Sequence, residues 1–154
     1  MEVFLKKIKI GCKIVCNNNT IHFIFKNIIL NKQVSQNLDA LIIDDEKDIC
    51  YLLGNVLKKR DIQSKYVNSL REAANILESN EPEIIFLDNH LPDGLGLNFI
   101  GFIKRFHPKT IIIMITAHDT IVDKQKAINE GVDFFIGKPF TKETVNNIME
   151  NMSH

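Results

Sequence analysis

The feature that most constrains this chain is a repeated arrangement between residues 38 and 152. Short apolar runs alternate with amphipathic helical patterns, and most of the runs stop at a charged or hydroxyl residue. Leu38 to Ile43 is apolar except for Asp39 and stops at Asp44-Asp45. Glu83 to Leu87 ends in Asp88, and Ile111 to Ile115 is closed by Thr116. A weaker strand pattern covers Gln63 to Val67, and a short one covers Asp133 to Ile136 before Gly137-Lys138-Pro139. Strands that read as unbroken apolar runs are buried on both faces, as in a parallel sheet covered by helices.

The intervening segments supply those helices. Ile49, Leu52, Leu53, Val56 and Leu57 recur at helical spacing, which predicts an amphipathic helix from about Glu46 to Arg60. Ser69-Leu70-Arg71-Glu72 reads as a capping box opening a helix that ends near Asn80. Further helices are expected over Leu97 to Phe106, over Thr120 to Glu130 with Gly131 as its terminator, and after Thr141, with Val145, Ile148, Met149 and Met152 sharing a face. Five β-α units joined by right-handed crossovers lead to a doubly wound α/β sandwich. In such folds ligands bind beyond the carboxyl ends of the strands.

The remaining sequence sets boundaries. A polar run over residues 31–38 separates this body from a Lys-, Asn- and Ile-rich segment, so residues 1–37 are expected to form an extension, either flexible or a marginal hairpin, and 38–152 the folded domain. The chain is neutral overall, but residues 1–38 carry six Lys against Glu2, while the body carries thirteen basic and eighteen acidic groups. An acidic body is a poor match for nucleic acid. The apolar stretch Ile21 to Leu30 is interrupted by Lys26 and Asn27 and is far shorter than the roughly 20 residues of a bilayer span, so no membrane contact is expected. Three cysteines form no even disulfide framework, which favours a reducing, cytoplasmic setting. Cys12, Cys16 and His22 fit no standard zinc spacing.

Asp44, Asp45, Asp88, Thr116 and Lys138 would all meet at one sheet edge. Carboxylates gathered without a cation repel one another and are driven towards protonation. A hard divalent ion relieves this, and Mg²⁺ takes carboxylates, carbonyls and water. A Lys and a hydroxyl beside it suit phosphoryl oxygens, and one carboxylate can then accept phosphate as an acyl phosphate. Taken singly, an Asp at a strand end is more often a turn or cap residue. Their joint occurrence at one edge shifts that balance.

These segments resemble the receiver domains of two-component response regulators. The resemblance rests on Leu41-Ile42-Ile43-Asp44-Asp45-Glu46, Ile85-Phe86-Leu87-Asp88 with Leu91-Pro92-Asp93-Gly94, Met114-Ile115-Thr116-Ala117 and Gly137-Lys138-Pro139-Phe140, in the family's order and spacing. It covers roughly residues 38–152. It implies a chemotaxis-regulator-like fold, a flavodoxin-like five-stranded parallel sheet of order 2-1-3-4-5 with five helices in three layers.

The resemblance further implies Asp88 as phosphoacceptor, and Mg²⁺ held by Asp45, Asp44, Asp88 and the backbone carbonyl of His90. Thr116 and Lys138 would contact phosphoryl oxygens, with a cis Lys138-Pro139 bond helping to aim the Lys. Thr116 and Phe135 would form the switch, acting on a surface made by the fourth helix, fifth strand and fifth helix. His90 and His118 stand where the family's modulators of phosphoryl lifetime stand, though both also fit as plain solvent-facing histidines.

Partners would be a sensor histidine kinase or phosphotransfer protein, and a second copy through the switch surface. The module would signal rather than act as an enzyme, promoting only its own phosphorylation and dephosphorylation. Two alternatives remain. A haloacid-dehalogenase-like phosphatase wants a second Asp two residues after the first, where this chain has His90. A degenerate receiver serving as a scaffold would lack part of the acidic, Thr and Lys set.

Overall fold

The computed structural model describes residues 39–117 and 121–152. The expectations for residues 1–37, including Cys12, Cys16 and His22, lie outside them. Five strands, β1 (Ala40–Ile43), β2 (Ser64–Val67), β3 (Ile84–Asp88), β4 (Ile111–Thr116) and β5 (Phe134–Gly137), form one sheet in the order β2-β1-β3-β4-β5. All four pairings are parallel. The helices are α1 (Lys47–Lys58), α2 (Leu70–Leu77), α3 (Ile100–Phe106), α4 (Ile121–Glu130) and α5 (Lys142–Asn151). The doubly wound parallel sheet expected from the sequence, in the strand order the resemblance implies, is the one found.

Side-chain alternation along the strands builds two cores. Leu41, Ile43, Ile85, Leu87, Ile112 and Met114 face α2, α3 and α4, through residues such as Leu77, Ile103 and Ala127. Their neighbours Ile42, Phe86, Ile113 and Ile115 face the other way, onto Leu53 and Leu57 of α1 and Val145 and Met149 of α5. Both faces of the central strands are therefore dry, which is why the sequence reads there as apolar runs without polar alternation. The edge strand β2 differs, since only Val67 of its four residues is buried.

Three local expectations are corrected. The helix expected over Leu97–Phe106 starts as a 3₁₀ turn, Gly96–Phe99, because the Asn89 side chain accepts the Leu97 N–H at 3.1 Å and tightens the entry. α2 ends at Leu77, three residues short of Asn80, whose N–H and side chain both donate to the Ile76 carbonyl in the turn that follows. Asp133 precedes its strand because its carboxylate accepts the Ile112 N–H at 2.8 Å and the Lys104 ammonium at 2.9 Å. The ends of other elements hold as expected. Ser69 Oγ accepts the Glu72 N–H, Thr141 and Thr144 cap α5 reciprocally, and Gly131 takes φ +105° after α4.

Candidate functional site

β1, β3 and β5 end on the same side of the sheet, and their last turns bring Asp44, Asp88 and Lys138 together. Asp44 is fully buried and Asp88 is 3% exposed. Lys138 Nζ lies 3.1 Å from Asp44 Oδ2 and 3.2 Å from Asp88 Oδ2. It also donates to Glu46 Oε1 at 2.7 Å. One ammonium thus serves three carboxylates, and the cluster keeps an excess of negative charge.

The backbone fixes these positions. Lys138 donates its N–H to the Thr116 carbonyl at 2.8 Å, tying the ends of β4 and β5, and the Lys138-Pro139 peptide is cis, as the resemblance implied. Asp44 Oδ1 accepts the Glu46 N–H at 2.8 Å, which turns the chain into α1. Behind it, the buried Cys50 thiol donates to the Asp44 carbonyl at 3.3 Å. Burial, then the charge of Asp44, pushes that thiol up to about 11, so it stays protonated. After Asp88, Asn89 donates its N–H to Ile115 and accepts from Gly96. Gly96 is required here, because a Cβ at that position would lie 2.2 Å from the Asp88 carbonyl oxygen.

The electrostatics show how strained the charges are. Burial, reinforced by the charge of Asp88, pushes Asp44 up to about 6 against the lowering pull of the Glu46 N–H and Lys138. Burial alone would lower Lys138, yet its bond to Glu46 and the charges of Asp44 and Asp88 raise it and keep it a cation. Asp44 Oδ2 receives no aligned hydrogen bond and is held only by the ammonium charge.

These residues fit a hard divalent cation. Asp44, Glu46 and Asp88 each offer an oxygen within 4.8 Å of the others, the donors are all oxygen, and the buried Asp44 Oδ2 lacks a hydrogen bond. Of the residues singled out in the sequence, Asp44, Asp88 and Lys138 converge. Thr116 is buried at the end of β4, next to them in the sheet. Asp45 is exposed at the turn and is not among the three clustered carboxylates. His90 is exposed in the short strand His90–Leu91, and Phe135 is half-buried on β5, in register with Met114. His118 lies outside the described residues. Glu46 lies in a segment that carries the resemblance but is given no role by it, because an exposed Glu opening a helix shows none until Lys138, 92 residues away, is seen to reach it.

Comparison with known proteins follows the same lines. A family model described as the response regulator receiver domain matches residues 40–150. The response regulator protein PilR of Pseudomonas aeruginosa is 34% identical over 100 residues, covering 65% of this chain and 22% of that protein. The nitrogen assimilation regulatory protein NtrX of Azorhizobium caulinodans is 34% identical over 107 residues, covering 68% and 24%. The chain therefore spans less than a quarter of the length of these relatives. Among solved structures, the beryllofluoride-activated NtrC4 receiver domain dimer matches with a TM-score of 0.67 and 36% identity, over 73% of this chain and 93% of that one. NtrX from Brucella abortus matches with a TM-score of 0.68 and 30% identity, over 73% and 26%.

Proposed function

This chain belongs to the response regulator receiver family, and on that premise we propose that it accepts a phosphoryl group on Asp88 from the phosphohistidine of a sensor histidine kinase or phosphotransfer protein. The observation that carries this reading is the convergence of Lys138 Nζ on Asp88 and Asp44 at the carboxyl edge of the sheet. An Asp88 carboxylate oxygen attacks phosphorus, a P–O bond forms, and the P–N bond breaks. Its electron pair leaves with the imidazole, which takes up a proton. Lys138 neutralises charge on the incoming phosphoryl oxygens, and the Thr116 hydroxyl donates to another.

Asp44 and Asp88 of the oxygen cluster, together with Asp45 and the His90 carbonyl that the family resemblance adds, are the proposed Mg²⁺ ligands. Bound there, the ion supplies charge neutralisation for the phosphoryl oxygens. Glu46 serves as a counterion to Lys138 before the phosphoryl group arrives. The reading makes the chain a signalling module that catalyses no reaction on other molecules.

Phosphorylation adds close to two negative charges. The proposed response runs through Thr116 to Phe135 and so to the surface of α4, β5 and α5, as a population shift between two states. That surface would carry self-association or a protein partner, and the dimeric state of the related NtrC4 receiver supports the former. No helix among the described residues is long and apolar enough to cross a membrane, in keeping with a cytoplasmic setting. The acidic body supports protein partners over nucleic acid for this module.

The test is incubation with Mg²⁺ and a small acyl phosphate, followed by intact mass. A gain of one phosphoryl group that vanishes in Asp88→Asn and on chelation is expected. No gain in the parent chain, or an equal gain in Asp88→Asn, refutes the assignment.

A further inference from the structure

The loop after β3 carries a carboxylate that serves another element. Asp93 stands at the tip of a tight hairpin in which His90–Leu91 pairs antiparallel with Gly94–Leu95. Its Oδ1 accepts the Leu70 N–H and its Oδ2 accepts the Arg71 N–H, both at 2.9 Å. These are the first two donors of α2, which a helix leaves without internal partners and where negative charge is favoured. The two N–H bonds hold the Asp93 carboxyl below the usual carboxylate range.

α2 also carries a cap of its own, on other donors. Ser69 Oγ already accepts the Glu72 N–H at 3.2 Å, and the Glu72 carboxylate accepts the Asn68 N–H at 3.1 Å. The hairpin is held at both ends, with Leu91 packed into the core between them. Its base is fixed by Asn89, which accepts from Gly96 N–H and Leu97 N–H. Its tip is fixed by Asp93, beside Gly94 at φ +153°, where a Cβ would press on Leu70 Cδ1 at 3.3 Å. Asp88 ends the strand leading into this hairpin, and His90, whose carbonyl is a proposed ligand, opens the hairpin itself. The clamp joins the segments that follow β2 and β3, the two strands flanking β1 and its Asp44. From the β2 side, Asn68 also donates to the Asp44 carbonyl at 3.4 Å.

We propose that Asp93 is a positioning residue for the phosphorylation site: by clamping the hairpin tip to the N-terminus of α2, it holds the His90 carbonyl and Asp88 in the arrangement that receives the cation and the phosphoryl group. The inference rests on the proposed phosphoacceptor function. Side chains that orient a metal's ligands without touching the metal change affinity by about tenfold or more when removed.

The experiment compares Asp93→Ala and Asp93→Asn with Ser69→Ala in the full chain. Ser69→Ala removes a cap from the same helix without touching the hairpin, and so controls for loss of helix stability. Mg²⁺ affinity is read by calorimetric titration, and phosphoryl uptake from phosphoramidate by intact mass. Asp93→Ala should weaken Mg²⁺ binding and slow uptake by about tenfold. Asp93→Asn, keeping one acceptor, should fall between it and the parent. Ser69→Ala should lower the melting temperature while leaving both readouts within about twofold of the parent, far less than the loss of an orienting partner. Equal Mg²⁺ affinity and uptake in Asp93→Ala and Ser69→Ala overturns the inference and leaves the phosphoacceptor reading intact. A parent chain that takes neither Mg²⁺ nor phosphoryl overturns that reading, and the inference with it.

Discussion

Replacing Asp44 by Asn should stabilise the metal-free protein, although it removes a partner of Lys138. Asp44 is fully buried, and its carboxyl is raised from 3.8 to about 6, chiefly by burial. Each pKa unit corresponds to about 1.4 kcal/mol, so the ionised carboxylate destabilises the fold by roughly 3 kcal/mol at neutral pH. The sign follows from proton linkage. Between 3.8 and about 6 the folded state binds more protons than the unfolded chain, so this group's contribution to stability falls as pH rises. The destabilisation is complete above about 6 and disappears as pH drops towards 3.8. An Asn keeps an oxygen for the Glu46 N–H but must desolvate its own amide beside Lys138, so about 1–2 kcal/mol should survive. For a domain of this size that is a rise in melting temperature of roughly 4–10 °C. Calorimetric scans at pH 7.5 in EDTA should show this rise, and at pH 4, where the ionisation penalty is nearly gone while the cost of the buried amide remains, the variant should instead melt below the parent. Excess Mg²⁺ should reverse the order, since binding stabilises only the chain that retains the ligand. An Asp44→Asn variant no more stable than the parent at pH 7.5, or a gain independent of pH, refutes the account of Asp44 as a strained buried charge.

The other side of the cluster behaves oppositely. Lys138→Met keeps most of the stem but leaves Asp44 and Asp88 without their cation, so metal-free stability at pH 8 should fall by about 3 kcal/mol, the scale expected when one partner of a buried pair is lost. Mg²⁺ should restore a large part of it, as denaturant titration with and without the ion would show. His90→Ala and His118→Ala should change the lifetime of the acyl phosphate, the role the family resemblance gives these two positions. Half-lives unchanged beyond error in both variants remove the modulator assignment.

How much is legible in the sequence depends on whether a residue's partners lie along the strand pattern or across the fold. β3 and β4 stand out because both their faces are buried, so the apolar run stops where the strand meets the site, and Asp88 and Thr116 are marked by that break. β2 is faint because Val67 is the only member that contributes to the core. Asp44 and Lys138 are marked by the same break in pattern. Glu46 and Asp93 are not. Their roles are set by groups 92 and 22–23 residues away, and Asp93's partners are backbone N–H groups, which every sequence has and none displays. Asp133 leaves its expected strand for a bond to the Ile112 N–H across the sheet, and Asn89 tightens the entry to α3 through the Leu97 N–H. A usable signal for Asp93 does exist in the combination of a Pro-Asp-Gly turn after a central strand and a helix two strands away with exposed first donors. Reading it needs the strand order first, because only β2-β1-β3 brings that turn and that helix to the same end of neighbouring strands. The chemistry-bearing residues of such a sheet are thus announced by the strands that carry them, whereas the residues that aim them become visible only once topology has made neighbours of the loops.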